Sequence, residues 1–283
     1  MSSGRLKVAT CQFAVSSSIK RNARQIQKYM MRAKQAKADI VHFPECALSG
    51  YAGIDFSSFD GFDWQLLREE TEKIMSLAAK LGLWVVLGST HRLAKANKPH
   101  NSLYLVNPKG KIAGRYDKRF CISRELGHYT PGNRFVNFTI NGVRCSLLIC
   151  FDVRFPELYR RLYKQGVDCI FQSFYNARQK GPSVHTYIMR QSMQCRAATN
   201  YFWVSMANSS GCYSPYPSCF IQPDGKIVRQ LRQNHPGLMV NKVDLKKKFY
   251  DPMAEFRDLA IAGKLNNAPK AIKDPRSKNR TIL

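Results

Sequence analysis

The chain has 283 residues, of which 44% are hydrophobic and 11% aromatic. This composition excludes a disordered chain and supplies enough apolar side chains for one large domain. No uncharged apolar run approaches the ~18 residues of a membrane span, and residues 1–8 lack the apolar segment of a secretion signal. We therefore expect a cytoplasmic protein with no membrane partner.

The hydrophobic pattern predicts strands and helices that alternate in two similar halves. In the first half we expect strands over residues 6–15, 39–43, 83–88, 102–106 and 111–116, and helices over 19–38 and 64–80. In the second half we expect strands over 134–140, 143–150, 168–173 and 201–206, helices over 155–166 and 184–199, and a hairpin over 218–229.

Each half closes on a hairpin whose turn reads Pro-x-Gly-Lys-Ile, at residues 108–112 and 223–227. No linker rich in Gly, Ser or Pro separates the halves. The pattern therefore predicts one α/β domain over residues 1–283, in which two sheets pack face to face with helices outside. We expect a four-layer αββα sandwich over residues 6–245, followed by a C-terminal arm over residues 246–283.

Positive charge is the most unusual bulk property, because 45 Lys and Arg against 19 Asp and Glu give a formal net charge of +26. Residues 20–37 carry seven basic residues and no acidic one, and the last twenty residues carry six against Asp274 alone. No helix-turn-helix, zinc finger or RNP-like segment accompanies them. We therefore expect a solvated basic face and no specific nucleic-acid partner. Charge alone supports only weak, salt-sensitive binding.

Cysteine and histidine spacing gives no sign of a metal site. The nine cysteines include no CxxC pair, and the six histidines include no HxxxH or HExxH pair. Several cysteines lie in apolar, strand-like runs, where a free thiol behaves as a small hydrophobic group. The sequence therefore predicts reduced cysteines and no structural metal.

Three segments place a reactive side chain at the end of a predicted strand, where α/β sheets build their sites. Glu45 follows the strand over 39–43, and Lys118 follows the strand over 111–116. Cys150 lies at a sharp strand-to-helix transition, much as a nucleophile elbow exposes its side chain. Each alone has an ordinary explanation, as a solvated carboxylate, a surface charge or a core thiol. The combination is far more specific.

Together the three segments resemble the nitrilase superfamily, the carbon–nitrogen hydrolases with a Glu-Lys-Cys triad. Phe-Pro-Glu45 resembles the glutamate motif, Tyr-x-Lys118 the lysine motif, and CFDVRFPE over residues 150–157 the cysteine motif. Phe151 stands where many members have Tyr or Trp, and Thr199 replaces the usual glutamate of the helix that carries RAATN. The resemblance covers about residues 6–245, in the family's order.

The resemblance implies a role for each motif residue. The thiolate of Cys150 would attack an amide, carbamoyl or nitrile carbon, with Glu45 as the general base. Lys118 and the backbone N–H of Phe151 would hold the oxyanion. Glu125, in the loop after the lysine, would support the lysine and the bound substrate. This chemistry needs no metal and no organic cofactor.

The resemblance is weaker for the substrate. Arg-Phe-Pro-Glu after the cysteine looks more like the amidase and omega-amidase-like branches than like true nitrilases. We therefore predict an amidase that releases ammonia or an amine from a small amide through a thioester, with N-carbamoyl hydrolysis as the alternative. We expect the pocket to take residues from several loops, namely Tyr51, His128, Tyr129, Arg154, Tyr175 and Asn176.

The family also implies a homodimer or a higher homo-oligomer. Because like charges repel across a two-fold interface, we expect the basic helix over residues 20–37 to stay outside the contact. Two non-enzymatic alternatives remain open at this point. One is a catalytically silent binding protein with the same fold, and the other is a non-specific nucleic-acid binder that uses the basic face.

Overall fold

The computed structural model describes residues 3–94, 96–178, 180–268, 270 and 272–281. The strands are β1 (Arg5–Gln12), β2 (Ile40–His42), β3 (Trp84–His91), β4 (His100–Val106), β5 (Ile112–Asp117), β6 (Asn137–Ile140), β7 (Val143–Ile149), β8 (Cys169–Ser173), β9 (Trp203–Ala207), β10 (Cys219–Ile221), β11 (Ile227–Gln230) and β12 (Gly237–Asp244). The helices are α1 (Ile19–Gln35), α2 (Trp64–Leu81), α3 (Ser123–Leu126), α4 (Pro156–Lys164), α5 (Val184–Asn200), α6 (Arg257–Ile261) and α7 (Pro275–Lys278). A 3₁₀ helix follows β7 over Cys150–Arg154.

The strands form two six-stranded sheets with matching topology. Their orders are β12-β1-β2-β3-β4-β5 and β11-β10-β9-β8-β7-β6. In each sheet the three strands joined through helices run parallel, β1 to β3 in the first and β7 to β9 in the second. Parallel neighbours need a crossover, which α1, α2, α4 and α5 provide, whereas tight turns join the antiparallel pairs β4–β5, β6–β7 and β10–β11.

Buried apolar side chains form two clusters that define the layers. In β1, Val8 belongs to the cluster that fills the space between the sheets and extends to the helices of the second sheet, where it includes Leu158 of α4 and Met193 of α5. The next residue, Ala9, belongs to the cluster between the first sheet and helices α1 and α2. Alternate strand residues thus face the second sheet and the outer helices. The order of helices, sheet, sheet and helices confirms the predicted αββα sandwich.

Strand β12 is the main element that the sequence pattern did not predict. It pairs antiparallel with β1 over the whole length of both strands, from Arg5 opposite Asp244 to Gln12 opposite Gly237. The partners lie more than two hundred residues apart, so no local signal connects them. The predicted first strand over residues 6–15 is shorter in the structure, because β1 ends at Gln12.

A buried polar network joins the two sheets beside the strand ends. The His42 ring of β2 bonds through Nδ1 to the Ser205 hydroxyl and through Nε2 to the Ser173 hydroxyl, each at 2.8 Å. Ser173 donates in turn to the carbonyl oxygen of Phe43 at 2.9 Å. Burial lowers the pKa of His42 to about 3, so the ring is neutral. The network fixes the end of β2 against the end of β8.

The chain divides into two compact units, Met1–Phe249 and Tyr250–Leu283. The first contains both sheets and helices α1 to α5. The second contains α6 and α7, with an ion pair between Arg257 and Asp251. The division lies close to the predicted start of the C-terminal arm, and a single domain over the whole chain stays a prediction. None of the described helices is both long enough and apolar enough to cross a membrane.

Candidate active site

Glu45 lies in a tight turn that follows β2. The turn packs directly on β3 at Gly88, where an added Cβ would lie only 2.0 Å from the carbonyl oxygen of Pro44. Only glycine permits so close an approach of two backbones. The amide of Glu45 donates to the carbonyl of Phe174 at 3.2 Å, which ties the turn to the second sheet. The carboxylate is therefore held where the two sheets meet.

Three hydrogen bonds orient the buried carboxylate of Glu45. Oε1 accepts from Nδ2 of Asn101 at 2.7 Å and from Nζ of Lys118 at 2.9 Å. Oε2 accepts from the backbone amide of Tyr175 at 2.8 Å. Burial raises the pKa of Glu45 above its usual value, while the charge of Lys118 and the bond from Asn101 oppose that rise.

Lys118 lies between two carboxylates and is only 2% exposed. Its ammonium group donates to Glu45 and also to Oε1 of Glu125. Burial alone would lower the pKa of Lys118, but the negative charges of Glu45, Cys150 and Glu125 outweigh burial and hold it well above its usual range. The lysine is therefore a fixed positive charge inside the protein. It is not the ordinary surface charge that the sequence also allowed.

Helix α3 presents Glu125 to this lysine. Oε1 of Glu125 accepts from the Tyr51 hydroxyl as well as from Lys118. Its Oε2 accepts from the backbone amide of Ile122 at 2.8 Å, at the start of the helix. Both carboxylate oxygens are thus committed, one to the site and one to the loop that carries the residue.

Cys150 begins the 3₁₀ helix at the end of β7 with a φ of +39°, a backbone conformation that is strained for any residue but glycine. Asp152 holds this turn. Its carboxylate accepts from the backbone amides of Ile149 and Phe120, at 3.0 and 3.1 Å, and from the hydroxyl of Tyr116 at 2.7 Å. The structure thus contains the strand-to-helix elbow that the sequence predicts at Cys150.

The thiol of Cys150 is neutral in this environment. Burial and the Glu45 carboxylate raise its pKa well above the usual value, and the opposing effects of Lys118 and the Tyr175 amide are smaller. The side-chain amide nitrogen of Asn176 lies 3.9 Å from the sulfur. A thiol in this state needs a base to accept its proton when it attacks.

A cavity of about 1050 Å³ opens in front of these groups. Its walls include Lys118, Glu125 and Cys150. Of the other residues predicted for the site, those that also line the cavity are Tyr51, Phe151, Arg154, Tyr175 and Asn176. The structure therefore brings together most of the side chains that the sequence singled out.

Two of the predicted pocket residues lie behind the cavity wall. The hydroxyl of Tyr129 accepts from the backbone amide of Ala52, and the ring is buried. The imidazole of His128 packs against Gly53, where an added Cβ would lie 2.8 Å from Nε2. Both side chains support the loop that carries Tyr51. Sequence patterns do not reveal the packing that decides whether a loop side chain faces the cavity or the protein interior.

Asn101 and Asp152 are site residues whose roles sequence reasoning missed. Asn101 lies in a strand with no motif around it, and only the fold brings it to Glu45. Asp152 lies inside the cysteine motif, so its position was noted without its function in the turn. His185 also lines the cavity, from the first turn of α5.

The fold and the site define a hydrolase that uses a cysteine. Residues 7–247 match the family model described as carbon–nitrogen hydrolase, and the chain belongs to that family. The predicted family is therefore confirmed, together with its enzyme class.

Curated relatives of this chain include several amidases. The chain is 25% identical over 266 residues to the omega-amidase of Homo sapiens, covering 89% of this chain and 91% of the relative. It is 24% identical over 226 residues to the 2-oxoglutaramate amidase of Bacillus subtilis, covering 78% and 83%. It is 31% identical over 173 residues to an (R)-stereoselective amidase of Pseudomonas, a match that spans 61% of this chain and 60% of that amidase.

Solved structures of an amidase from Nesterenkonia sp. AN1 share the fold. One mutant of that enzyme gives a TM-score of 0.73 at 20% identity, over 91% of this chain and 94% of that chain. A second mutant gives 0.72 at 21% identity, over 85% and 90%, and shows covalent addition of the acetamide moiety of fluoroacetamide at its active-site cysteine. These likenesses agree with the αββα sandwich described above.

Proposed function

We propose that this chain is an amidase that hydrolyses small amides through a thioester on Cys150. The observation that carries the proposal is that Cys150, Lys118 and Glu125 line one cavity, with the carboxylate of Glu45 buried against Lys118. The amidases among the relatives support an amide as the substrate class. The acetamide adduct on the cysteine of the Nesterenkonia amidase supports the covalent intermediate.

In the first step, the sulfur of Cys150 bonds to the amide carbon. Because the resting thiol is neutral, its proton passes to Glu45 as the bond forms. The raised pKa of Glu45 suits this role, because it increases the proton affinity of the carboxylate. The carbonyl electron pair moves to oxygen, where the ammonium of Lys118 and the backbone N–H of Phe151 stabilise the negative charge.

In the second step, the carbon–nitrogen bond breaks. Glu45 returns the proton to the leaving nitrogen, so ammonia or an amine departs and a thioester remains. Water then attacks the thioester, gives a proton to Glu45 and forms the carboxylic acid, while Cys150 leaves and regains its proton. Glu125 holds Lys118 and the leaving group of the bound substrate in position through these steps.

Every proton and electron pair in this scheme is accounted for by the substrate, water and the four named side chains. Within the described residues, no group of three or more His, Cys, Asp and Glu side chains could hold a metal ion. The chemistry of this scheme requires no metal and no organic cofactor.

The test is ammonia release from a panel of small alkyl amides, N-carbamoyl amino acids and nitriles. We expect the alkyl amides to react fastest, and intact-mass spectra of quenched reactions to show an acyl group on Cys150. Cys150→Ala should abolish both signals, whereas Cys195→Ala, at an exposed cysteine, should retain them. Ammonia release from N-carbamoyl amino acids alone would show that the substrate is a carbamoyl compound and not a simple amide. If no compound in the panel gives ammonia release or an adduct on Cys150, the proposal is overturned.

We also infer that the protein works as a homodimer or larger homo-oligomer in the cytoplasm. Family membership supports the assembly. The location is supported by the nine cysteines, all of which are free of disulfide bonds, as is usual for proteins of a reducing compartment. Light scattering at micromolar concentration should give at least twice the chain mass, and a clear monomer mass would contradict the assembly.

A further inference from the structure

Helix α1 presents a face of unpaired positive charge, here called the α1 basic face. It consists of Lys20, Arg21, Arg24, Lys28, Arg32, Lys34 and, just past the helix, Lys37, all of them exposed. The helix itself contains no acidic residue. Across the described part of the chain, no ion pair joins any of these seven side chains to a carboxylate.

The neighbouring helix shows that this arrangement is not required by the layer. Helix α2 packs beside α1 on the same sheet and is also exposed on its outer side. Two of its three cations are paired, Arg68 with Glu72 at 2.9 Å and Lys73 with Glu70 at 2.8 Å. Mixed charges of this kind are enough to solvate a helix surface. Solvation alone therefore does not explain why α1 carries one sign of charge.

The spacing of the cations adds repulsion within the helix. Lys20, Arg24, Lys28 and Arg32 follow one another at four-residue intervals, so they form one row along the helix. Like charges at this spacing destabilise a helix. At 1.5 Å of rise per residue, the row is about 18 Å long. A ligand with a matching row of negative charges would relieve the repulsion.

We propose that the α1 basic face binds the phosphate backbone of a nucleic acid without reading its sequence. Each strand of a duplex presents a phosphate about every 3.4 Å along the axis, so several phosphates fall within the length of the row. Contacts between cations and phosphates hold a protein on a duplex, and they require no contact with the bases. Binding of this kind is compatible with the absence of a sequence-reading motif.

An anionic membrane fits this face less well than a nucleic acid. A helix that binds a membrane surface inserts an apolar side between the lipids. In α1, which is described throughout, the apolar residues Ile26, Tyr29 and Met30 are buried in the core. Met31 is the only large apolar side chain of the helix that is exposed. The helix therefore has charge for a polyanion but no apolar side left for lipid.

The α1 basic face is separate from the proposed active site. None of its residues is among those that line the cavity beside Cys150. Nucleic-acid binding and amide hydrolysis should therefore respond to different substitutions. The inference extends beyond the amidase proposal and can fail or succeed independently of it.

The experiment measures binding of a short random-sequence RNA duplex by fluorescence anisotropy over a range of salt concentrations. The test variant changes Lys20, Arg21, Arg24 and Lys28 together to Gln. The matched control changes Lys264, Lys273, Arg276 and Lys278 to Gln, which removes the same net charge from the second unit. We expect the test variant to bind at least about tenfold more weakly near 100 mM salt, and the slope of log K against log salt to flatten by about 3 units.

The control should lose much less affinity and keep most of the slope. Equal losses in both variants would show that overall charge, and not this face, governs binding, and would overturn the proposal. So would binding of the wild type to phosphatidylserine vesicles with no binding to RNA. RNA should also raise the melting temperature of the wild type more than that of the test variant, and both variants should hydrolyse amides at the wild-type rate.

Discussion

The side-chain amide of Asn101 donates to Oε1 of Glu45 at 2.7 Å, the same oxygen that accepts from the ammonium of Lys118. The backbone carbonyl of Asn101 also accepts from the backbone amide of Lys118 at 2.8 Å. The thiol of Cys46 contacts Oδ1 of Asn101 at 3.5 Å, which fixes the orientation of the amide. One residue of β4 thus positions both the proposed base and its cation.

We expect Asn101→Leu to disturb the base without removing it. The hydrogen bond from Asn101 lowers the pKa of Glu45, so its loss should raise that pKa further. Glu45 must be ionised to accept a proton, and a higher pKa means that it protonates at a higher pH. The acidic limb of kcat/KM against pH should therefore move to higher pH. A hydrogen bond to a charged group is worth about 1.5–3 kcal/mol, so kcat/KM at neutral pH should fall by tenfold or more.

The control for this prediction is Asn133→Leu, because Asn133 is exposed in the loop before β6. It should leave the pH profile in place. If Asn101→Leu lowers activity but the acidic limb does not move, Asn101 supports the fold and not the ionisation of Glu45. Melting temperatures of both variants measure the structural contribution.

Replacement of Lys118 should cost stability as well as activity. Lys118→Met leaves Glu45 and Glu125 buried without their cation, and breaking a buried pair in this way costs about 3–5 kcal/mol of unfolding free energy. Activity should fall by a factor of at least 10²–10³, as when an oxyanion donor is lost. Lys118→Arg should lose comparable activity, because a planar guanidinium cannot replace a compact ammonium. Its stability should fall less, because the charge remains.

The pH dependence of stability checks this explanation. Without Lys118 the pKa of Glu45 in the folded state should rise further, because the charge of the lysine lowers that pKa. A carboxyl with a raised folded pKa takes up a proton as pH falls, and the buried charge then disappears. The stability deficit of Lys118→Met should therefore shrink between neutral and mildly acidic pH in urea unfolding. A stability deficit that is the same at neutral and at mildly acidic pH would contradict the loss of a buried ion pair as its cause.

Alkylation should distinguish Cys150 from the exposed cysteines. Cys195 and Cys212 are exposed and should react with iodoacetamide simply because reagent reaches them. Cys150 should react because Glu45 removes its proton during attack, so Glu45→Gln should slow its labelling by about 10²-fold or more. Peptide mapping by mass spectrometry gives both rates in one sample, with Cys212 as the internal control. If Glu45→Gln slows both cysteines equally, the effect is not specific to the site.

Much of this site was predictable because its local patterns fix strand ends. Glu45, Lys118 and Cys150 each follow a run with a clear strand pattern, and a sandwich of two such halves brings these ends together. The contribution of Asn101 was not predictable, because its contact with Glu45 joins β4 to the turn after β2, and these segments meet only in the folded chain. The pairing of β12 with β1 was missed for the same reason, since no local pattern connects residues so far apart.

The last prediction concerns Glu125, whose two oxygens serve different donors. Oε1 accepts from Lys118 and Tyr51, while Oε2 accepts from the amide of Ile122. In Glu125→Gln the side-chain nitrogen cannot accept a hydrogen bond. It must therefore face either the donors Lys118 and Tyr51 or the amide of Ile122, and one of these contacts is lost. We expect the charge holding Lys118 to be lost and amide turnover to fall by about 10²-fold, as when a positioned group shifts.

Ester and amide substrates separate a role in leaving-group chemistry from a role in the loop. An ester's leaving group needs less protonation than an amide nitrogen, so ester cleavage should suffer less and the ratio of ester to amide rates should rise. Glu157→Gln, at an exposed position of α4, is the matched control and should change neither rate. A loss of both rates in proportion to a lowered melting temperature would assign Glu125 to the loop alone. An unchanged ratio with an unchanged melting temperature would mean that Glu125 takes no part in the departure of the leaving group, because its loss would then affect ester and amide cleavage alike.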